Sequence, residues 1–181
     1  MGYHRAGFDV VGVDINPQPR YPFAFHQADA MTFPLDGFDA IHASPPCQFY
    51  ANVTAWRGRP ADHPDLIAAT RERLDAAGVP WVMENVPEAP VRPDFLLCGS
   101  QFGLKVRRHR AFETSPRLFS LIGPCRHRGL LPFMHKAERA YADALGCEWM
   151  TAREAREAVP PAFTQYVGQF LLAAVREAVS S

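Results

Sequence analysis

The chain of 181 residues has no apolar run of membrane-spanning length, no internal repeat, no low-complexity tract and no leader-like segment. Those absences argue against a membrane protein, a solenoid and a secreted scaffold, and they make a cytoplasmic location the expectation. Cysteine is scarce. Cys47, Cys98, Cys125 and Cys147 stand far apart, with no Cys-x-x-Cys pair, so free thiols in a reducing compartment are predicted. Cys125, His127, His135 and Cys147, with Cys98, are of metal-ligating types, but without a paired knuckle their spacing assigns no metal. Excess charge is also missing. Lys plus Arg and Asp plus Glu number 19 each, which removes long-range attraction to polyanions and leaves any affinity for nucleic acid to local clustering.

That clustering is present. Arg57 and Arg59, then Lys105 and Arg107 to Arg110, then Arg126 to Arg128 concentrate basic residues in three short stretches. Hydrophobic content of 48% and charged content of 21% are those of a globular chain, and the length fits a single domain.

Brief apolar stretches alternate with helical spacing. Residues 8–14, 25–30, 38–43 and 80–86 each run apolar and deliver a polar or reactive residue near the carboxyl end. The first is expected to be a buried parallel strand. Helices are predicted over 64–77, stopping at Gly78, over about 136–145, over 151–158 with a Thr151/Glu154 capping box, and over 163–179. The alternation predicts an α/β fold with a mostly parallel sheet. In such sheets ligands sit beyond the carboxyl ends of the strands, where these polar residues fall.

Three segments carry chemistry. In Ala43-Ser44-Pro45-Pro46-Cys47-Gln48 a thiol follows a strand and two prolines, which stiffen the loop presenting it. A lone cysteine is more often a small buried hydrophobe. Glu84-Asn85-Val86 places a carboxylate at the end of an apolar strand, where it must be protonated or paired. Arg108-His109-Arg110 offers guanidinium forks that suit a phosphate or a carbonyl oxygen, though such runs are commonly plain surface.

In this order and spacing the three segments resemble the motifs of the cytosine-C5 DNA methyltransferases, familiar from restriction-modification systems. Ser44 to Gln48 is similar to that family's nucleophile loop, Glu84-Asn85-Val86 to its proton-donor motif, and Arg108-x-Arg110 to its Gln-x-Arg-x-Arg motif, with Val106 where the family has glutamine. The match runs from about residue 2 to 114 and resumes at 160 to 171. The resemblance implies a Rossmann-like fold dependent on S-adenosylmethionine. It casts Cys47 as the nucleophile that adds to cytosine C6, Glu84 as the group holding N3 and the exocyclic amine, and Asn85, Arg108 and Arg110 as further catalytic residues. The partner is DNA with its target cytosine flipped out of the stack.

The resemblance also implies cofactor-binding roles for Asp14 (ribose), Ile15 (adenine), Asp29 with Ala30, Pro45 and Gly168, and nucleic-acid contacts for Gln48, Arg57, Arg59, Arg107, Arg126 and Arg128. The family's opening strand and Phe-x-Gly-x-Gly loop have no counterpart ahead of the helix expected at residues 2–7. Because that strand is central, the sheet is expected to be incomplete, from either a start assigned too late in an active enzyme or a truncated, inactive DNA-binding remnant. Within one domain, 1–114 is the expected catalytic and cofactor-binding core, 115–159 a reduced target-recognition region and 160–181 a returning helix. So short a recognition region points to a small site or to a separate specificity partner. A related enzyme using another one-carbon group or a non-duplex substrate fits the same residues.

Overall fold

Each of the four apolar stretches forms a strand: β1 (Val11–Asp14), β2 (Ala24–Gln27), β3 (Ile41–Ala43) and β4 (Trp81–Asn85). The computed structural model describes all residues but 52–58, 120, 129–130, 133–137 and 181. The expected helices are there too: α1 (Gly2–Ala6), α2 (Ile67–Ala76), α3 (Glu138–Leu145), α4 (Ala152–Glu157) and α5 (Pro161–Val179). Four strands come without an expectation: β5 (Phe95–Cys98), β6 (Val106–Arg107), β7 (His109–Ser115) and β8 (Leu131–Pro132). Among the described residues no helix is long and apolar enough to cross a membrane.

The strands form three sheets: β1-β2, β3-β4-β7-β5 and β6-β8. Pairing is parallel in β1/β2, β3/β4 and β6/β8, but β4 and β7 run antiparallel over Trp81↔Ser115 to Asn85↔Ala111. The fold is therefore mixed α/β, and the expectation of a mostly parallel sheet is corrected at the centre of its largest sheet. β1 is parallel as expected but not buried, with Val11 38% exposed. Among the described residues it pairs with β2.

The residues group into two compact units interleaved along the chain, where one domain was expected. The first comprises 1–34, 97–108 and 122–173, the second 35–96, 109–121 and 174–181.

In the first unit, Val106, Tyr141, Ala142, Leu145, Cys147 and Ala155 form a buried cluster that α3 and α4 close. Thr151 and Glu154 make the predicted capping box at the start of α4. Glu154 also takes a two-pronged ion pair from Arg20, at 2.9 and 2.7 Å, which holds its carboxyl down at about 2. In the second unit the core is Ile67, Leu74, Trp81, Met83, Val86, Ala89, Val91 and Ala111. β4 is buried at every position, as a central strand between two neighbours should be. Arg71 on α2 forks both oxygens of buried Glu113 on β7 at 2.8 Å. Burial alone would raise the Glu113 carboxyl, but Arg71 and the Arg92 amide outweigh it and hold it below its ordinary value.

Candidate active site

The second unit gathers Cys47, Glu84, Asn85 and Arg110. β3 and β4 are parallel neighbours, so their carboxyl ends deliver the Ser44–Gln48 loop and the Glu84-Asn85 pair to the same edge of the sheet. Cys47 is half-buried and packs against the core beside Ile41, Ala43 and Tyr50. Its carbonyl accepts from the amides of Tyr50 (3.0 Å) and Ala51 (2.8 Å), which folds the chain into a turn just after the thiol.

Asn85, only 1% exposed, donates its side-chain amide to the Pro45 carbonyl at 2.9 Å. Its own Oδ1 accepts from the Val86 amide at 2.9 Å. The strand end thus grips the loop two residues before Cys47. Pro45, expected at the cofactor, is buried and serves in this tether. Gln48 lies exposed in the turn that follows.

Glu84 is 5% exposed, and the Nε of Arg110 lies 2.6 Å from its Oε1. A buried carboxylate must be neutralised or paired, and here it is paired. Arg110 also donates from Nη1 to the His109 carbonyl at 2.8 Å, which turns the guanidinium and fixes its rotamer. β7 runs antiparallel to β4 with Phe112 opposite Glu84 and Ala111 opposite Asn85, which sets Arg110 one residue past the last pair.

His42, on β3, was missed in the sequence. Its Nε2 lies 2.9 Å from Ser44 Oγ, beside the nucleophile loop, and burial of the ring pushes the imidazole down to about 4. A histidine two residues ahead of Ser-Pro-Pro-Cys was the available signal.

Arg108 takes a different place from Arg110. It belongs to the first unit, is 2% exposed, and donates to the Tyr141 hydroxyl (3.0 Å) and to the carbonyls of Arg156 (2.7 Å) and Ala158 (2.8 Å). The guanidinium closes the carboxyl end of α4.

The first unit also holds the residues expected at the cofactor. Asp14 and Ile15 lie at the end of β1, and Asp29 and Ala30 just past β2, its parallel neighbour, so all four leave the same edge. Asp14 accepts from the Asn16 amide (2.8 Å) and the Gln18 side chain (3.2 Å), and Asp29 from the Met31 amide (2.8 Å). Ile15 is 66% exposed, a large apolar side chain standing in solvent beside an acid. Gly168 has a packing reason: a Cβ there would come within 2.9 Å of the Ala6 Cβ and 3.0 Å of the Tyr3 ring, so α5 and α1 approach closely only because it is glycine.

Of the basic residues expected to meet DNA, Arg107, Arg126 and Arg128 are exposed in the first unit. Arg59 is exposed in the second and pairs with Asp62 at 3.4 Å. Arg57 lies outside the described residues. No family model, no curated protein and no solved structure matches this chain.

Proposed function

We propose that the chain is built to methylate cytosine at C5 in DNA, with Cys47 as covalent nucleophile. The single observation that carries this reading is the meeting, in one unit, of three segments distant in sequence: Asn85 holds the Pro45 carbonyl at 2.9 Å while Arg110 holds Glu84 at 2.6 Å. A stiff loop bearing a thiol, tethered beside a paired buried carboxylate, has the parts that nucleophilic addition to a pyrimidine requires.

The steps follow from the residues. The Cys47 thiolate adds to C6 of a flipped cytosine, forming an S–C6 bond and moving the C5–C6 π electrons onto C5 and the ring. Glu84 accepts from the exocyclic amine and, entering the step as its acid, gives its proton to N3 as the charge develops, while Arg110 stabilises the carboxylate left behind. Arg110 keeps that carboxylate in place and has further N–H donors for the base carbonyl. C5 then takes up the methyl group, a base removes the C5 proton, and the S–C6 bond breaks to restore the aromatic ring and free Cys47.

S-adenosylmethionine, when bound, supplies the electrophilic methyl group. The ends of β1 and β2 fit its nucleoside half: Asp14 for a ribose diol, exposed Ile15 for a flat base and Asp29 for an amino group.

The test uses DNA containing 5-fluorocytosine, whose C5 fluorine cannot leave as a proton, so the covalent intermediate is trapped. With S-adenosylmethionine present, the protein should form a denaturation-resistant adduct carrying one transferred methyl group, and Cys47→Ser should form none. An undiminished adduct or undiminished methyl transfer by Cys47→Ser would reject the mechanism. Calorimetry showing no binding of S-adenosylmethionine would reject the methyl donor and favour a DNA-binding remnant.

A further inference from the structure

Cys98 ends β5 in the first unit, 1% exposed, with its Sγ accepting from Ser100 Oγ at 3.4 Å. The segment 122–128 has no regular structure, and all of it but Ile122 is exposed. Yet it is tied down beside Cys98. Gln101 Nε2 donates to the Gly123 carbonyl at 2.6 Å, the Arg126 amide to Ser100 Oγ at 2.9 Å, and His127 Nε2 lies 3.4 Å from Cys98 Sγ. The donor atoms of Cys98, Cys125 and His127 all fall within 4.8 Å of one another, and neither cysteine is in a disulfide.

We infer that the first unit carries a zinc site made by Cys98, Cys125 and His127, which staples the segment 122–128 in place. Tetrahedral zinc with Zn–S of about 2.3 Å and Zn–N of about 2.0 Å sets its ligand atoms about 3.6 Å apart. The 3.4 Å separation of Cys98 and His127 already has that size. The 4.8 Å limit on the other pairs leaves about 1 Å of closure to side-chain rotation.

Two thiolates and an imidazole select zinc over the hard cations. An exposed segment with almost no apolar anchor gains its order from such a clip. Zinc on His127 would also fix its neighbours Arg126 and Arg128. Only that last consequence, arginines held ready for phosphate, rests on the DNA-modifying reading.

The full chain, expressed without a histidine tag in zinc-containing medium, is purified and its metal measured by mass spectrometry. One zinc per chain is expected, retained by Cys47→Ser and lost by Cys125→Ser and His127→Gln. The metal-free wild-type chain, titrated with cobalt, should develop the absorption of a tetrahedral thiolate site, which needs no variant to fold. A wild-type chain without zinc and without a cobalt spectrum overturns the site. So does a Cys98–Cys125 disulfide in peptides mapped under non-reducing conditions from freshly purified protein. Zinc bound by a chain that transfers no methyl group upholds the site and counts against the activity alone.

Discussion

Asn85 at the end of β4 donates its side-chain amide to the carbonyl of Pro45 at 2.9 Å, and the Cys47 thiol follows two residues later. The bond is buried and joins positions 40 residues apart. It converts the rigidity of a central strand into the position of a loop.

Asn85→Ala leaves the Pro45 carbonyl and the Val86 amide without this partner, which should lower stability by about 1–3 kcal/mol. Chemistry should suffer more than binding, because a loop displaced by about 1 Å can lose about 100-fold in rate. The trapped-adduct rate and the DNA dissociation constant, measured on the same preparation, separate the two. Equal losses in both would show that Asn85 acts on binding and not on the loop.

Glu84 and Arg110 form a pair whose side chains are 6% and 12% exposed. Removing one partner strands a charge, so Glu84→Gln or Arg110→Met should each cost about 3–5 kcal/mol of stability. The double variant Glu84→Gln/Arg110→Met should recover much of that, while adduct formation stays lost in all three. Urea midpoints give the cycle. A double variant as unstable as the sum of the singles would mean that the two residues do not act as a pair.

Legibility of the sequence divides along physical lines. β1 to β4 could be read because each is an apolar run ending in a polar residue, a local pattern. β7 could not: Arg110 and Glu113 lie on it, and their charges are tolerable in a sheet only because Glu84 and Arg71 meet them from other elements. The antiparallel return of β7 was hidden for the same reason. The nucleophile loop, Glu84-Asn85 and Arg110 were legible as residue types in order, while their meeting needed the parallel pairing of β3 with β4. Cys98 and His127, separated by 29 residues, share no local signature at all.

His42 gives the site a pH signature. The unfolded imidazole takes a proton near its ordinary 6.5, whereas the folded one, desolvated on β3, resists until about 4. Between those values the unfolded chain binds more protons, so stability falls as pH drops from 6.5 toward 4. Asp94 and Glu113, both held below their ordinary values of 3.8 and 4.5, add their losses lower on the scale. His42→Gln should therefore flatten the stability profile between pH 6.5 and about 4 and leave the more acidic limb in place. Thermal midpoints of the two proteins across that range decide it: parallel curves would show that His42 does not supply this loss.

Arg108 and Arg110 sit two residues apart in one motif, yet the structure gives them opposite duties. Arg108 satisfies the Tyr141 hydroxyl and two carbonyls at the end of α4. Arg108→Met strands those acceptors and should destabilise the chain by at least about 2 kcal/mol, since hydrogen bonds to a charged group contribute about 1.5–3 kcal/mol each. Per folded molecule it should keep most of the adduct-forming rate. Arg110→Met, by contrast, leaves Glu84 without its counter-ion and should lose the chemistry even where the protein is fully folded. Adduct rates at low temperature, scaled by the folded fraction from circular dichroism, compare the two directly. If Arg108→Met proves as inactive as Arg110→Met in the folded state, the guanidinium at 108 serves the reaction and its contacts with α4 are secondary.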